Sequence, residues 1–88
     1  MDEMDLNTMR KLIIDEVAEM RKQRMILVMH KELGEMLLQK SKGKDYLEDE
    51  VLKETEKRVA ETIDRINGLD ELIKMGEMAL KIHELLEE

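Results

Sequence analysis

The side chains best suited to acid–base or metal chemistry are His30 and His83, the two histidines of the chain. Imidazole has an ordinary pKa near neutrality and is a common metal ligand. A metal site on one helix usually pairs such a histidine with a second ligand three or four residues later. Only Glu87, which follows His83, meets this condition. We therefore interpret both histidines as ordinary surface or boundary residues, and we predict no catalytic, cofactor-binding or metal-binding residue.

Paired carboxylates are a second candidate for chemistry. They occur in Glu16-Val17-Ala18-Glu19 and again in Glu32-Leu33-Gly34-Glu35. This spacing resembles the acidic motifs of all-helical nucleotide pyrophosphatases, and the resemblance implies Mg²⁺ held between helices by several carboxylates. On one continuous helix the two pairs point to nearly opposite sides. A solvated helix face is the preferred interpretation, and a Mg-dependent pyrophosphatase is kept as an alternative.

Basic residues on the first predicted helix raise a third possibility. A long helix followed by two shorter ones in a chain of 88 residues is similar to the helical chorismate mutase fold. That family holds a dianionic substrate with Arg and Lys side chains, but the basic residues here do not follow its spacing: Arg10, Arg21, Arg24 and Lys40. The acidic stretch 45–50 would also repel a dianion. We do not assign the chain to this family, and a mutase-like enzyme is a further alternative.

Composition limits the class of protein. The chain has no Cys and no Pro, 42% of its residues are charged, and its formal net charge is -7. Few helix breakers favour an all-α fold, and the length is that of one domain, residues 1–88. Nucleic-acid binding requires clustered Lys and Arg, which the acidic balance disfavours. No apolar run is long enough for a membrane span, so we expect a cytoplasmic protein.

Helix-ending signals divide the chain into elements. Gly43 can end a helix, and Asp45 can cap the next one. A weaker break is predicted at Asn67-Gly68. The predicted helices are about Asp5–Lys40, Tyr46–Ile66 and Leu69–Leu86. We predict a long N-terminal helix packed antiparallel against two shorter helices, as a three-helix bundle or a long helical hairpin, completed by dimerisation.

Charge predicts how the helices pair. Folding the chain back at Gly43 brings the basic patch Arg21, Lys22 and Arg24 opposite acidic residues of the second helix. The partners expected from this register are Glu61 and Asp64. Inspection along the chain indicates no internal repeat. The charge pattern therefore predicts an antiparallel return.

The first predicted helix carries two apolar stripes. Ile13, Val17 and Met20 lie on one side, whereas Met29 and Leu33 lie nearly opposite. Between the stripes, the run Met25-Ile26-Leu27-Val28-Met29 is apolar around the whole helix. One hairpin partner cannot cover it, so we predict a homodimer in which two such segments cross.

Methionine is the most unusual compositional feature, with nine Met and no Phe or Trp. Met is flexible, so it can fill core gaps or form a surface that accepts varied apolar helices. Met75 and Met78 flank Gly76, which would let another helix approach closely. The predicted interface comprises Met25, Ile26, Leu27, Val28, Met29, Met36, Met75 and Met78. We predict a non-enzymatic protein–protein interaction module, such as a small regulator, adaptor or chaperone; a designed bundle would show the same patterns.

Overall fold

The computed structural model describes residues 5–41 and 48–87, and these residues form two α-helices. Helix α1 spans Leu6–Ser41 and helix α2 spans Asp49–Leu86. The all-α prediction is confirmed, and α1 agrees with the first predicted helix. The predicted turn at Gly43 lies outside the described residues.

The second and third predicted helices are one helix. The predicted break at Asn67-Gly68 is wrong, because α2 passes through both residues without interruption. A glycine inside a helix costs only about 1 kcal/mol relative to alanine, and packing against α1 outweighs that cost. The predicted start of the second helix at Asp45 and Tyr46 lies outside the described residues. Of the two predicted architectures, the described residues form the long helical hairpin.

The two helices run antiparallel. Val17 of α1 contacts α2 at Gly76, and Gly34 of α1 contacts α2 at Val59. Ser41 and Asp49 therefore lie at one end, called the connection end, and the other is called the terminal end. The midpoint lies between residues 25 and 26 of α1 and between residues 67 and 68 of α2.

The predicted charge pairing between the helices is wrong in register. Arg21 Nη2 donates a hydrogen bond to Glu77 Oε1 at 2.7 Å, and Arg24 Nε donates to Asp70 Oδ1 at 2.5 Å. These acidic residues lie nearer the terminal end of α2 than the predicted partners, Glu61 and Asp64. The difference arises because side-chain packing along the whole contact, and not one charge cluster, determines the register.

Most buried and half-buried residues recur alternately every three and four positions on both helices, a heptad spacing that keeps one side of each helix against the other. We call these residues the inner seam. On α1 the inner seam is Ile13, Val17, Met20, Arg24, Leu27, Lys31, Gly34, Leu38 and Ser41. On α2 it is Leu52, Thr55, Val59, Thr62, Ile66, Leu69, Ile73, Gly76, Leu80 and His83.

The inner seam contains many small and polar side chains. Its hydroxyl groups donate to carbonyls of their own helix, Ser41 to Leu37 at 2.7 Å, and Thr55 and Thr62 at 2.8 and 2.7 Å. Threonine on α2 therefore finds its hydrogen-bond partner in the backbone of its own helix. The buried hydrophobic residues among the described ones are Val17, Met20, Ile66 and Ile73.

The register reveals a repeat that inspection along the chain had missed. Val17-Ala18-Glu19 recurs as Val59-Ala60-Glu61, and Gly34-Glu35-Met36 recurs as Gly76-Glu77-Met78, in both cases 42 positions later. The correspondence is strongest in these two tripeptides, and most other positions 42 residues apart differ. In the hairpin, each valine of the repeat faces the glycine of the other copy. A half-turn about an axis through the midpoint, perpendicular to both helices, thus exchanges equivalent positions of α1 and α2.

The hairpin is one helix thick. Its extents are 63 × 26 × 14 Å and its radius of gyration is 19.5 Å. A compact domain of this length would have a radius of gyration of about 12 Å. Helical domains normally pack in two or more layers around their core. The inner seam therefore lies between two helices that have broad faces open on both sides.

Candidate interaction face

The two broad faces of the hairpin differ in chemistry. The heptad pattern places one set of positions from both helices on one side of the inner seam and a second set on the other. We call these sides the charged face and the apolar face. The ion pairs Arg21–Glu77 and Arg24–Asp70 cross the seam on the charged face. That face also carries Lys11, Glu32, Glu35, Lys53, Glu56, Lys74, Lys81 and Glu84.

The apolar face carries large aliphatic side chains that the hairpin leaves exposed. Leu33 is 62% exposed, Leu72 is 50% and Met75 is 67%. The complete set of large exposed apolar residues on this face is Met9, Leu12, Ile26, Leu33, Leu37, Val51, Leu72, Met75, Ile82 and Leu86. A soluble protein rarely exposes a continuous apolar patch of this kind unless the patch binds something.

Two depressions open on the apolar face. One, at the midpoint, has a volume of about 510 Å³ and is lined mainly by apolar side chains, among them Ile26, Leu69 and Leu72, together with Gly68. The other lies toward the connection end and has a volume of about 340 Å³. It is more polar, because His30, Arg58, Glu61 and Arg65 line it.

The predicted interface residues divide between these regions. Leu27 belongs to the inner seam and Val28 borders it, so both are half-buried against α2. Ile26 and Met75 lie on the apolar face, and Met25 lies on the charged side. The remaining predicted residues, which point away from the seam, are Met29, Met36 and Met78. Together with Leu85 they form what we call the outer edges. The run from Met25 to Met29 does cover all sides of α1, and α2 covers only one of them.

Gly76 has a different neighbour from the one expected. A Cβ atom added at Gly76 would collide with Val17 Cγ2, so the helix that approaches closely is α1 of the same hairpin. The adjacent residues Met75 and Met78 are 67% and 61% exposed, as predicted for a surface pair.

The two histidines have different surroundings. His30 is exposed at the rim of the polar depression. His83 is only 7% exposed, and its Nδ1 atom has no hydrogen-bond partner within the described residues. The prediction of a surface or boundary residue holds for His30 and is wrong for His83, because its position in the inner seam was hidden until the register was known.

The acidic and basic candidates for enzyme chemistry are not brought together. The two carboxylate pairs on α1 are 16 residues apart, which is about 24 Å along a helix. Arg10 and Lys40 are about 45 Å apart by the same measure. In the part of the chain that the structure describes, no group of three or more His, Asp or Glu side chains is placed to hold a metal ion. Neither described helix is apolar enough over a sufficient length to cross a bilayer.

Comparison of the chain with protein-family models, with curated proteins and with solved structures finds no match. The apolar face is therefore interpreted from its own geometry. Sequence reasoning found several of its residues but missed the face itself. Its residues lie on two helices, so the face becomes visible only once the register between these helices is known.

Proposed function

We propose that the protein is a non-enzymatic protein–protein interaction module that acts in the cytoplasm as a homodimeric helical bundle. The observation that carries this proposal is the apolar face, which combines exposed aliphatic residues from both helices. Burial of such surface is the main favourable contribution to protein association.

The exposed area supports an assembly of this kind. The chain exposes 7456 Å². A compact monomer of 10.4 kDa exposes about 5,400 Å², so the hairpin has a surplus of about 2,000 Å². Obligate homodimers bury about 2,000 to 5,000 Å² in total, or about 1,000 to 2,500 Å² per chain. The surplus is thus of the size that one dimer interface removes.

The outer edges suit a different protein partner. They point away from the inner seam and carry Met29, Met36, Met78 and Leu85, which are 58%, 54%, 61% and 66% exposed. Methionine adapts its shape to varied apolar helices. In a dimer formed through the apolar face, these edges stay accessible, as a small regulator, adaptor or chaperone would need.

Light scattering coupled to size exclusion, across a range of concentrations, tests the proposal. We expect a mass of about twice 10.4 kDa for the parent chain. Lysine in place of both Leu33 and Leu72 should give a monomer, because it places charge on the apolar face. The matched control is Met25→Lys, which is 66% exposed on the charged side and should leave the mass unchanged.

A parent chain that stays a folded monomer at all concentrations would contradict the proposal. Turnover of chorismate that is lost in Arg10→Ala, or Mg²⁺-dependent hydrolysis of nucleotides that is lost in Glu16→Gln, would replace it with one of the enzyme alternatives.

A further inference from the structure

Contacts within the hairpin do not explain why residue 68 is a glycine. It lies inside α2, where glycine is less favourable than alanine because it loses more backbone freedom. A Cβ atom added there would meet nothing within 4 Å. The other two glycines of the hairpin differ: at Gly34 an added Cβ atom would lie 2.6 Å from Val59 Cγ2, and Gly76 would collide with Val17. Of the three glycines in the described helices, two therefore admit a neighbouring side chain, whereas Gly68 admits none from its own chain.

The place of Gly68 in the fold indicates what approaches it. It lies at the midpoint of the hairpin and lines the apolar depression of about 510 Å³ together with Ile26 and Leu72. A glycine on an exposed apolar surface allows the backbone of another helix to come close. The two-fold axis that relates α1 to α2 also passes through the midpoint. A partner with the same two-fold symmetry therefore fits best at this point.

Charge on the apolar face distinguishes two orientations of a symmetric partner, which can lie with its ends matched to those of the hairpin or with its ends reversed. Glu16 lies on the apolar face toward the terminal end, and Arg58 lies on it toward the connection end. The two are 42 positions apart, so they are equivalent under the repeat and equally far from the midpoint. Arg65 adds a second positive charge on the Arg58 side. Glu61 lines the same depression as these arginines, so the connection half of the face is mixed in charge, whereas Glu16 marks the terminal half.

Two copies can meet face to face with terminal end on terminal end and connection end on connection end. Arg58 of one copy would then lie near Arg58 of the other, and Glu16 near Glu16. With one copy reversed end for end, Glu16 of each copy lies at the level of Arg58 of the other. Opposite charges then meet twice, across the centre of a four-helix arrangement.

We infer that a second copy of this chain docks on the apolar face, reversed end for end, with Gly68 at the closest approach and Glu16 paired with Arg58 of the second copy. This inference rests on the proposed function and specifies its partner and its geometry. The contact covers Ile26, Leu72 and Met75 and leaves the outer edges accessible.

Substitution at Gly68 is the first test. Leucine at this position is accommodated by the isolated hairpin, so Gly68→Leu should fold, yet it should raise the dimer dissociation constant at least ten-fold. The matched control is Asn67→Leu, one residue away on the other side of α2, for which we expect less than a two-fold change. Analytical ultracentrifugation gives both constants. An unchanged or tighter Gly68→Leu dimer would overturn the inference.

Charge reversal is the second test. Glu16→Arg alone and Arg58→Glu alone should each weaken the dimer, and the double variant should restore most of the parent affinity. Arg58 also receives an ion pair from its own helix, with Nε 3.1 Å from Glu54 Oε1. This local effect is the same in the single and the double variant, so restoration reports on the contact between copies. Two single losses that simply add in the double variant would contradict the pairing.

Cysteine cross-linking separates the two orientations, since the chain contains no cysteine. In the reversed dimer, Gly68→Cys should oxidise to a disulfide with itself, and so should Ile26→Cys. A mixed disulfide between the two variants, without the self-linked forms, would show that the copies meet with the same ends together. That result would overturn the orientation while leaving the proposed function intact, whereas a monomeric parent chain would remove both.

Discussion

The inner seam and the apolar face of the hairpin differ less in composition than a buried and an exposed surface usually do. The seam, which is buried, contains Arg24, Lys31 and two glycines, and its described polar groups mostly bond to their own helix or to charged neighbours. The apolar face, which is exposed, carries ten large apolar side chains, almost as many as the seam. In an isolated domain the larger apolar residues would be expected inside.

The difference indicates that the two surfaces have separate tasks. Glycine facing valine and charge facing charge allow few alternative alignments, so the seam specifies register. The apolar face has few such specific contacts and offers mainly apolar area that can be removed from water. A hairpin built in this way is well aligned but only modestly stabilised until the face is covered.

Replacing isoleucine by alanine, once in the seam and once on the apolar face, should give the largest difference in the free energy of unfolding. Ile73 is 8% exposed in the seam and Ile82 is 51% exposed on the apolar face. We expect Ile73→Ala to lower the free energy of unfolding by about 2 to 5 kcal/mol at every protein concentration. Ile82→Ala should cost less than about 1 kcal/mol at high dilution, with a loss that grows with concentration as the dimer forms. Urea unfolding followed by circular dichroism measures both, and equal losses at high dilution would erase the distinction.

A glycine of the seam should tolerate a methyl group poorly. Gly34→Ala places a Cβ atom 2.6 Å from Val59 Cγ2, and such overpacking costs about 1 to 3 kcal/mol. Combining it with Val59→Ala should cost less than the sum of the two single changes, because the clash is relieved. Gly68→Ala, measured at high dilution, is the control and should stabilise the helix by about 0.5 to 1 kcal/mol. A stabilising Gly34→Ala would show that the packing between Gly34 and Val59 is not tight.

The ion pair between Arg24 and Asp70 should contribute less. The two side chains are 42% and 37% exposed, so solvent screens their attraction. Arg24→Met should cost about 0.2 to 1 kcal/mol, and the loss should shrink as salt is added. Thermal unfolding at low and high ionic strength checks this, and a loss independent of salt would assign the role of Arg24 to packing of its stem.

The cap at the start of α1 should give the smallest effect. The backbone N–H of Thr8 donates to Asp5 Oδ1 at 2.7 Å, and this hydrogen bond lowers the pKa of Asp5 below its ordinary value. A lowered folded-state pKa adds stability above the ordinary pKa, and the contribution is lost as the pH falls through the lowered value. Asp5→Ala should therefore melt slightly earlier than the parent at neutral pH and together with it in strong acid. A difference that persists in strong acid would mean that the carboxylate is not responsible.

Local patterns were sufficient to predict the helices but not their register. The spacing of Ile13, Val17 and Met20 identified the stripe that does face α2, and the bounds of α1 followed from the same periodicity. Gly68 was interpreted as a break because a lone glycine is a local signal, and its cost is too small to end a helix that packs along its length. The register depends on contacts between residues far apart in the sequence, from 25 positions for Gly34 and Val59 to 59 positions for Val17 and Gly76, which no local pattern contains.

The candidate face could be predicted only in part for the same reason. The exposure of Met75 and Met78 followed from composition and from a neighbouring glycine. Ile26 and Leu72 lie on different helices, so their meeting at one depression could not be found without the register. The burial of His83 was missed because its heptad position becomes visible only when the seam is traced through α2.

The distance between the two copies of the repeat is 42 residues, which is six heptads, so both helices carry their seam positions in the same phase. Val17 and Gly34 both belong to α1, and a helix with this pair can align antiparallel with another copy of itself, each valine entering the glycine notch of the other. This means that a hairpin that opens can exchange helices with a neighbour without losing a single seam contact.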